Sequence, residues 1–331
     1  MTPGGRNGLV VVLALLVLVS LVLAVVIGEV PLSLEQYRAG ISDATSGPAV
    51  VLWQVRAPRG VCAFAVGAAL GLSGAVLQGL LRNPLADPGV LGVSGTAALG
   101  AALAIVAGLA AIPGAVELAA LAGAGLAAAI LVPVAARLKT PEALILFGVA
   151  LSSFAGAVTA LVFNLSPSPI ATAEILSWML GSVQNRSWPD VAWVMPMLAI
   201  AAVTGRLAMP GLRALTLGDE AAQTSGLDIG RLRVMALVCA ALATGAAVAV
   251  SGMIGFVGLA APHLVRRLVR ADPGRILLPS ALAGGLMLTL ADILVRITPT
   301  DQEVKLGVFT ALVGAPLFAL IAWRAAREWQ L

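Results

Sequence analysis

Very few residues in this 331-residue chain have types and spacings suited to chemistry. Ser73 and Ser94 each lie in the pattern Gly-x-Ser-Gly, and His263 is the sole histidine. A serine activated by a histidine is a nucleophile for acyl transfer, so an intramembrane serine protease is one alternative. Ser73 lies among small apolar residues, however, which favours helix packing over an exposed nucleophile. Loss of all activity in a His263 variant would support the protease.

Carboxylates inside a membrane would suggest a second alternative, a proton-coupled transporter. The apolar stretches have few ionisable residues near their centres, and the nearest candidate is Asp292. Arg296 follows four residues later, so the two share a helix face and are predicted to form a structural ion pair. The chain also lacks the Gly-x-x-x-x-Gly-Lys-Ser/Thr loop that binds nucleotide phosphates. Energy for active transport must therefore come from another chain, and ATP dependence distinguishes the alternatives.

Segment 218–226 combines acidic residues with a terminal glycine in the pattern Glu-Ala-Ala-x-x-x-Gly. Asp219 and Glu220 would lie in a first helical turn, where the helix dipole favours carboxylates. Gly226 would permit a tight stop. We predict a short helix here, in the long polar loop 209–233, that fits a cleft on a cytoplasmic partner. A surface helix that only connects two spans is the alternative. The residues assigned to this contact are Gly218, Asp219, Glu220, Ala221, Ala222 and Gly226.

The composition indicates what kind of scaffold must position these residues. Hydrophobic residues make up 60% of the chain and charged residues 11%, and the mean hydropathy is +1.02. This excludes a soluble enzyme, a disordered chain and a coiled coil, and it predicts a polytopic protein of the lipid bilayer. Aromatic residues are 4%, which argues against nucleic-acid binding. Cys62 and Cys239 lie in apolar runs and are predicted to be packing residues.

Counting charge-free stretches predicts an all-α fold with about ten transmembrane helices in a single domain, 1–331. The first stretch is longer than a signal-peptide core and lacks a cleavage site, so we interpret it as a membrane helix. Ser251-Gly252 divides one overlong stretch into a full span and a shorter returning helix. The predicted spans are 9–28, 60–81, 90–110, 115–136, 143–164, 190–207, 232–251, 254–268, 276–296 and 304–323.

Ten spans place both termini on one side of the membrane. If that side is the cytoplasm, fourteen of the twenty Lys and Arg residues face inward and six face outward. This bias agrees with the positive-inside rule. Outside the spans we predict an external surface loop, 29–59, and a short external helix, 171–181. Ser73-Gly74 and Ser251-Gly252 are each followed by a proline at the same spacing. This weak internal similarity is compatible with an inverted repeat.

Several sequence blocks are distinctive when taken together. The blocks are Arg56-Ala-Pro-Arg59, Gly67 to Gly79, Arg82-Asn83-Pro84-Leu85-Ala86-Asp87-Pro88, Gly218 to Gly226, Ser251-Gly252-Met-Ile-Gly255-Phe-Val-Gly258, Pro262-His263-Leu-Val-Arg266, Ala291-Asp292 to Arg296, Leu306-Gly307 and Gly314-Ala-Pro316-Leu-Phe318. With them, the chain from Arg56 to Arg324 resembles the permease subunits of ABC importers for iron–siderophores, haem and cobalamin.

The resemblance implies a set of partners in the bacterial inner membrane. A second copy of the chain would form a homodimer, and two separate ATPase subunits, which hold ATP and Mg²⁺, would dock on the 218–226 helix. A periplasmic binding protein would dock outside, with its carboxylates meeting Arg56, Arg59 and Arg296. An internal role for Arg56 and Arg59, anchoring their loop, is the alternative. The family's cytoplasmic gate corresponds to Thr140 and Pro141, and no cofactor is expected in this chain.

The remaining motif residues are expected to be structural. Asn-Pro and Asp-Pro both start turns, so the block after Arg82 reads as a cytoplasmic turn. His263 is expected to have a structural or hydrogen-bonding role. The resemblance implies a ferric siderophore as the expected cargo, because siderophore importers are the most numerous members of the family, with haem or cobalamin as the alternative. The apolar pathway walls themselves identify no ligand. The structural motif residues are Arg82, Asn83, Pro84, Asp87, Pro88, Gly252, Gly255, Gly258, Pro262, His263, Arg266 and Asp292.

Overall fold

The computed structural model describes residues 3–137, 140–166, 168–269, 272–300 and 303–328. Throughout these ranges the chain forms helices and turns with no β-strand, which confirms the predicted all-α class. Within the described ranges, seven helices are long and apolar enough to cross a membrane. The chain is therefore a polytopic helical membrane protein.

The helices of the described ranges are numbered α1 to α14 in chain order. They are α1 Pro3–Val26, α2 Leu34–Ser42, α3 Gly47–Val50, α4 Ala57–Leu80, α5 Val93–Val106, α6 Ala115–Arg137, α7 Pro141–Asn164, α8 Pro169–Met179, α9 Trp188–Ala214, α10 Asp219–Thr224, α11 Ile229–Ser251, α12 Val257–Arg266, α13 Pro273–Ile297 and α14 Leu306–Glu328.

The predicted break after α11 is present. The helix ends at Ser251, Gly252 adopts a φ of 69°, and α12 begins at Val257. In contrast, α9 continues to Ala214, seven residues past the predicted end of its span at 207. The predicted 209–233 loop is therefore much shorter than expected and consists mainly of α10 and its flanking turns.

Two predicted spans are longer than their helices. At 1.5 Å per residue, α5 is about 21 Å long and α12 about 15 Å, less than the bilayer core of about 30 Å. Left-handed glycines explain the shorter α5, because Gly92 has a φ of 87° just before it and Gly108 a φ of 74° soon after it. The non-helical backbone from Gly252 to Phe256 likewise delays the start of α12.

The region expected to be an external loop, 29–59, is largely helical. After α2 and α3, the π-helical turn Val51–Arg56 leads without a break into α4. The indole Nε1 of Trp53 donates to the carbonyl of Gly40 at 3.1 Å, which holds this turn against α2. The polar residues of this region lie on short helices rather than in an irregular loop, and its position outside the membrane stays a prediction.

The centre of the bundle is built from α4, α11 and α13, whose small residues bring backbones together. Gly67 faces the carbonyl of Gly284 on α13, and Gly71 faces that of Ser280. Between α4 and α11, the hydroxyls of Ser73 and Thr244 lie 2.8 Å apart. Close approach through small residues is typical of membrane helix pairs. Cys62 and Cys239 are free and fully buried in this centre, as predicted.

The outer helices present apolar surface to their surroundings. In the most apolar 18-residue stretch of the continuous helix that contains α4, 89% of the residues are buried. The corresponding share is 22% in α7 and 22% in α9. Exposed large side chains on these helices include Leu146, Phe154 and Val203. Such surfaces suit contact with lipid or with another membrane-embedded chain.

Candidate functional site

The short helix α10 forms where the acidic pattern predicts it. Gly218 has a φ of 97° and turns the chain into the helix, and Asp219 and Glu220 occupy the first turn. At the other end, Gly226 has a φ of 88°. The amide of Gly226 donates to the carbonyl of Gln223 at 2.9 Å, and the next amide donates to Ala222 at 3.1 Å. This pattern is a Schellman stop, which requires glycine at the left-handed position.

Helix α10 is attached to the bundle by one face. On this face the side chain of Ala222, which belongs to α10, is fully buried. Asp219 forms an ion pair with Arg82 at 2.7 Å, just beyond the end of α4, and lies 3.7 Å from Arg233 in α11. Arg233 also donates to the carbonyl of Ala135 at the end of α6 at 3.3 Å. Side-chain contacts therefore connect α10 to the ends of α4 and α11 and, through Arg233, to the end of α6.

The opposite face of α10 is open. Glu220, Ala221, Gln223 and Thr224 are all exposed. The arrangement is a small protrusion with a carboxylate at its tip and a buried anchor below, and it can engage a complementary cleft.

The structure brings the predicted gate residues beside this attachment point. Thr140 caps α7, with its hydroxyl accepting from the amide of Ala143 at 3.4 Å, and Pro141 occupies the first turn. Both residues line a cavity of about 10 Å³, room for about one water molecule. Arg82 and Asp219 line the same cavity. The predicted gate and the predicted coupling helix are thus neighbours, which their sequence separation did not indicate.

The predicted turn after α4 is present between α4 and α5. Arg82 has a φ of 49°, and the Asn83 side chain accepts from the amide of Leu85 at 2.9 Å. Asp87 accepts from the amide of Gly89 at 2.8 Å. Burial raises the pKa of Asp87 to about 6, and the Gly89 hydrogen bond opposes this rise. The turn folds back so that Pro88 and Asp87 pack against Gly258 in α12.

The protease pairing is not formed. Ser73 donates to the carbonyl of Ala240 and bonds Thr244 inside the α4–α11 interface. His263 lies on α12, where its neighbour Arg266 donates to Gln78 on α4. In the described residues, no group of three or more His, Cys, Asp or Glu side chains is placed to hold a metal. The serine-protease alternative is therefore wrong for Ser73.

A second charged cluster lies at the opposite end of α4 and α13. Nε of Arg59 donates to Oδ1 of Asp292 at 2.9 Å, and its Nη1 donates to Oε2 of Glu303 at 3.0 Å. Arg296 pairs with the other carboxylate oxygen of Asp292, which confirms the predicted i,i+4 ion pair. Glu303 was missed by sequence analysis, because a single acidic residue in a polar segment gives no signal of its partner.

The three arginines assigned to docking face inward. Arg56 is 5% exposed and Arg296 is 6% exposed. Arg56 donates to the carbonyls of Val25, Val26 and Val30 at and just beyond the end of α1. Nη1 of Arg296 donates to the carbonyl of Ala24 at 2.8 Å.

The placement of Arg56 and Arg296 corrects the expectation of exposed docking groups. The last carbonyls of a helix lack partners inside the helix, and the two arginines bond those at the end of α1. The side chain of Arg59 is 11% exposed. The contacts of Arg56 agree with the alternative interpretation, an anchor for the 29–59 segment, whereas Arg59 bonds Asp292 and Glu303 instead. The docking role of the three arginines stays a prediction.

Comparisons with known proteins agree with this architecture. The profile of the FecCD transport family matches residues 15–324. The chain is 42% identical over 272 residues to the cobalamin import system permease protein BtuC of Halobacterium salinarum, covering 81% of this chain and 72% of that protein. It is 36% identical over 317 residues to the vitamin B12 import system permease protein BtuC of Salmonella typhimurium, covering 95% and 94%.

A solved structure is also similar. It is an inward-facing conformation of an ABC transporter assigned to the metal-chelate type, with a TM-score of 0.85 and 30% identity over 96% of this chain and 99% of that chain. The resemblance inferred from the sequence blocks is confirmed, and this chain belongs to the FecCD transport family.

Proposed function

We propose that the chain is the membrane-spanning permease subunit of a binding-protein-dependent ABC importer that moves a bulky metal chelate by alternating access. The observation that carries this proposal is the attachment of α10. Its exposed face presents Glu220, and its Asp219 pairs with Arg82 beside the gate residue Thr140. A partner that pulls on α10 therefore acts on the same cavity that the predicted gate lines.

The energy source in this proposal is a separate ATPase, two copies of which bind α10 and its equivalent in a second copy of the permease. The chain itself has no P-loop and performs no covalent chemistry. Two states of the assembly differ in affinity for the ATPase in its ATP-bound form and for the loaded binding protein, and each partner shifts the equilibrium between those states.

The proposed topology has ten crossings with both termini in the cytoplasm of a bacterial inner membrane. The bias of Lys and Arg residues supports it. In this topology α5 and α12, which are too short to span the bilayer alone, cross it together with the non-helical backbone that adjoins them. Buried protein surroundings make such backbone tolerable within a membrane.

At the outer end we propose that Arg56, Arg59 and Arg296 support the docking surface of a periplasmic binding protein from below. Arg59 joins α4, α13 and the segment before α14 through Asp292 and Glu303. The arginines would thus fix the relative positions of these elements, and the exposed residues above them would make the contact.

Cobalamin is the first candidate cargo, because the similar permeases from Halobacterium salinarum and Salmonella typhimurium carry that assignment in their names. A ferric siderophore is the second candidate, supported by the similarity to a transporter assigned to the metal-chelate type. Both cargos are large metal complexes that need a wide pathway.

Uptake into proteoliposomes tests the proposal. The chain is reconstituted with the ATPase and the binding protein encoded beside it, and radiolabelled cobalamin, a ferric siderophore and haem are offered separately with and without ATP. Accumulation of one cargo that requires ATP and the binding protein is the expected result. An assembled complex that hydrolyses ATP and accumulates none of the three would overturn the chelate assignment.

A further inference from the structure

A groove of about 620 Å³ opens on the flank of the bundle between α1, α9 and α13. On α9 its lining residues follow the spacing i, i+3, i+4 and i+7, which places them on one face. From α13 come Gly274, Arg275, Leu278 and Pro279, and from α1 come Val10 and Val11. The α9 stripe consists of Arg206, Met209, Pro210 and Arg213.

The groove is cationic at one end and apolar along its length. Arg206, Arg213 and Arg275 supply three positive charges. Asp272 is the acidic residue that pairs here, at 2.8 Å from Nε of Arg213 and 2.9 Å from Nε of Arg275. The local balance is therefore an excess of two positive charges.

Arg206 lies eight residues before the end of α9, about 12 Å along the helix axis. Its neighbours Val203 and Leu207 are 60% and 62% exposed, so it stands on an apolar outer surface. In the described ranges Arg206 forms no ion pair. A guanidinium group in such surroundings is costly unless an anion accompanies it.

We infer that this groove binds one anionic phospholipid. The headgroup phosphate lies between Arg206 and Arg213, which can form charge-assisted hydrogen bonds with it. An acyl chain runs along Val10, Val11 and Leu278, of which Val11 and Leu278 are 55% and 53% exposed. Basic pockets between membrane helices with apolar walls suit acidic lipid headgroups.

An acidic peptide fits the groove less well, because the wall beyond the arginines is continuous with the exposed apolar surface of α9. A phospholipid satisfies the arginines and that surface together. Bound there, it would connect α1, α9 and α13 at the arginine-rich end of the bundle.

The test is native mass spectrometry of the purified full chain, incubated in detergent with phosphatidylglycerol or with phosphatidylcholine of the same acyl chains. We expect phosphatidylglycerol to be retained preferentially. Arg206→Gln is expected to weaken its retention about fivefold, and Arg206→Gln with Arg213→Gln more than tenfold. The matched control is Arg231→Gln, since Arg231 is exposed in the first turn of α11 and does not line the groove.

Arg206→Lys retains the charge and is expected to retain most of the binding. Because Arg206 is exposed, this variant and Arg206→Gln are expected to remain folded, which size-exclusion chromatography verifies. Equal retention of the two lipids would overturn the inference, as would unchanged retention in the double variant. Displacement of the lipid by inorganic phosphate alone would also overturn it, because the site would then be one for free anions.

Discussion

Nη2 of Arg82 and Oδ1 of Asp219 lie 2.7 Å apart, and this pair joins the end of α4 to α10. The two side chains are 40% and 31% exposed. Exposed ion pairs contribute at most about 1 kcal/mol to stability. We therefore expect the pair to contribute little to stability, and in the proposed mechanism it connects α10 to the cavity that Thr140 lines.

We expect Asp219→Ala to leave the fold intact and to lower ATP-driven uptake several-fold. The loss follows because α10 would keep its anchor at Ala222 and lose its ionic connection to α4 and α11. Uptake and ATP hydrolysis are measured in the same proteoliposomes, and hydrolysis is expected to continue. The reciprocal exchange Arg82→Asp with Asp219→Arg restores a pair of opposite charges and is expected to recover part of the uptake. Full uptake in Asp219→Ala would show that the pair transmits nothing.

Asp292→Asn tests the charged cluster that Asp292 forms with Arg59, Arg296 and Glu303. It removes the charge that Arg59 and Arg296 share, and breaking a buried ion pair from one side costs about 3–5 kcal/mol. We expect a clear fall in the temperature at which the buried thiols of Cys62 and Cys239 react with a fluorescent maleimide in detergent. Glu35→Gln, at an exposed position on α2, is the control and is expected to change that temperature little. Equal thiol-reaction temperatures for the two variants would contradict the idea that Asp292 holds α4 and α13 in position.

Gly74→Ala probes the crossing of α4 and α12. A Cβ at this position would meet the backbone carbonyl of Gly258. Overpacking of this kind typically costs about 1–3 kcal/mol, and more where backbone has to move. Gly125→Ala in α6 is the matched control, because nothing lies within 4 Å of its added Cβ. The thiol-reactivity assay should separate the two variants, and a stable Gly74→Ala protein would refute the close contact.

Asp87 gives the chain a predicted pH dependence. A carboxyl group whose pKa is raised from 3.8 to about 6 binds its proton more tightly in the folded state. Stability therefore falls as pH rises from about 4 to about 6 and stays lower above that range. At 1.36 kcal/mol per unit, the loss at pH 7 is at most about 3 kcal/mol.

Asp87→Asn should remove this dependence while its side-chain oxygen still accepts from the amide of Gly89. We expect the variant to be more stable than the parent at pH 7.5 and nearly equal to it at pH 3.5. Thermal unfolding in detergent at the two pH values is the measurement. A stability gap that does not change with pH would exclude Asp87 as its source.

Helix α10 and the break after α11 could both be predicted from local sequence patterns. Both depend on short signals: acidic residues before a glycine stop in the first case, and Ser251-Gly252 in the second. The helix ends of α5 were not predicted, because apolar composition continues past the point where Gly92 and Gly108 change the backbone direction. Hydropathy reports where the chain is apolar and is insensitive to backbone conformation.

The burial of Arg56 and Arg296 could not be predicted for a different reason. Their partners are carbonyls at the end of α1, which have no side-chain signature in the sequence. The proximity of Thr140 to Asp219 likewise depends on tertiary packing, which brings the start of α7 and the start of α10 to one cavity. The family resemblance identified the candidate site residues, but which of them are in contact depends on tertiary packing.

The glycine contacts of α4 restrict how the bundle can deform. Gly67, Gly71 and Gly74 each face a backbone carbonyl of α12 or α13, so sliding either partner by one residue would place a side chain where there is no room. Close packing of this kind opposes sliding of α4, α12 and α13 along one another, so we expect these three helices to keep their register and to move together when the pathway opens.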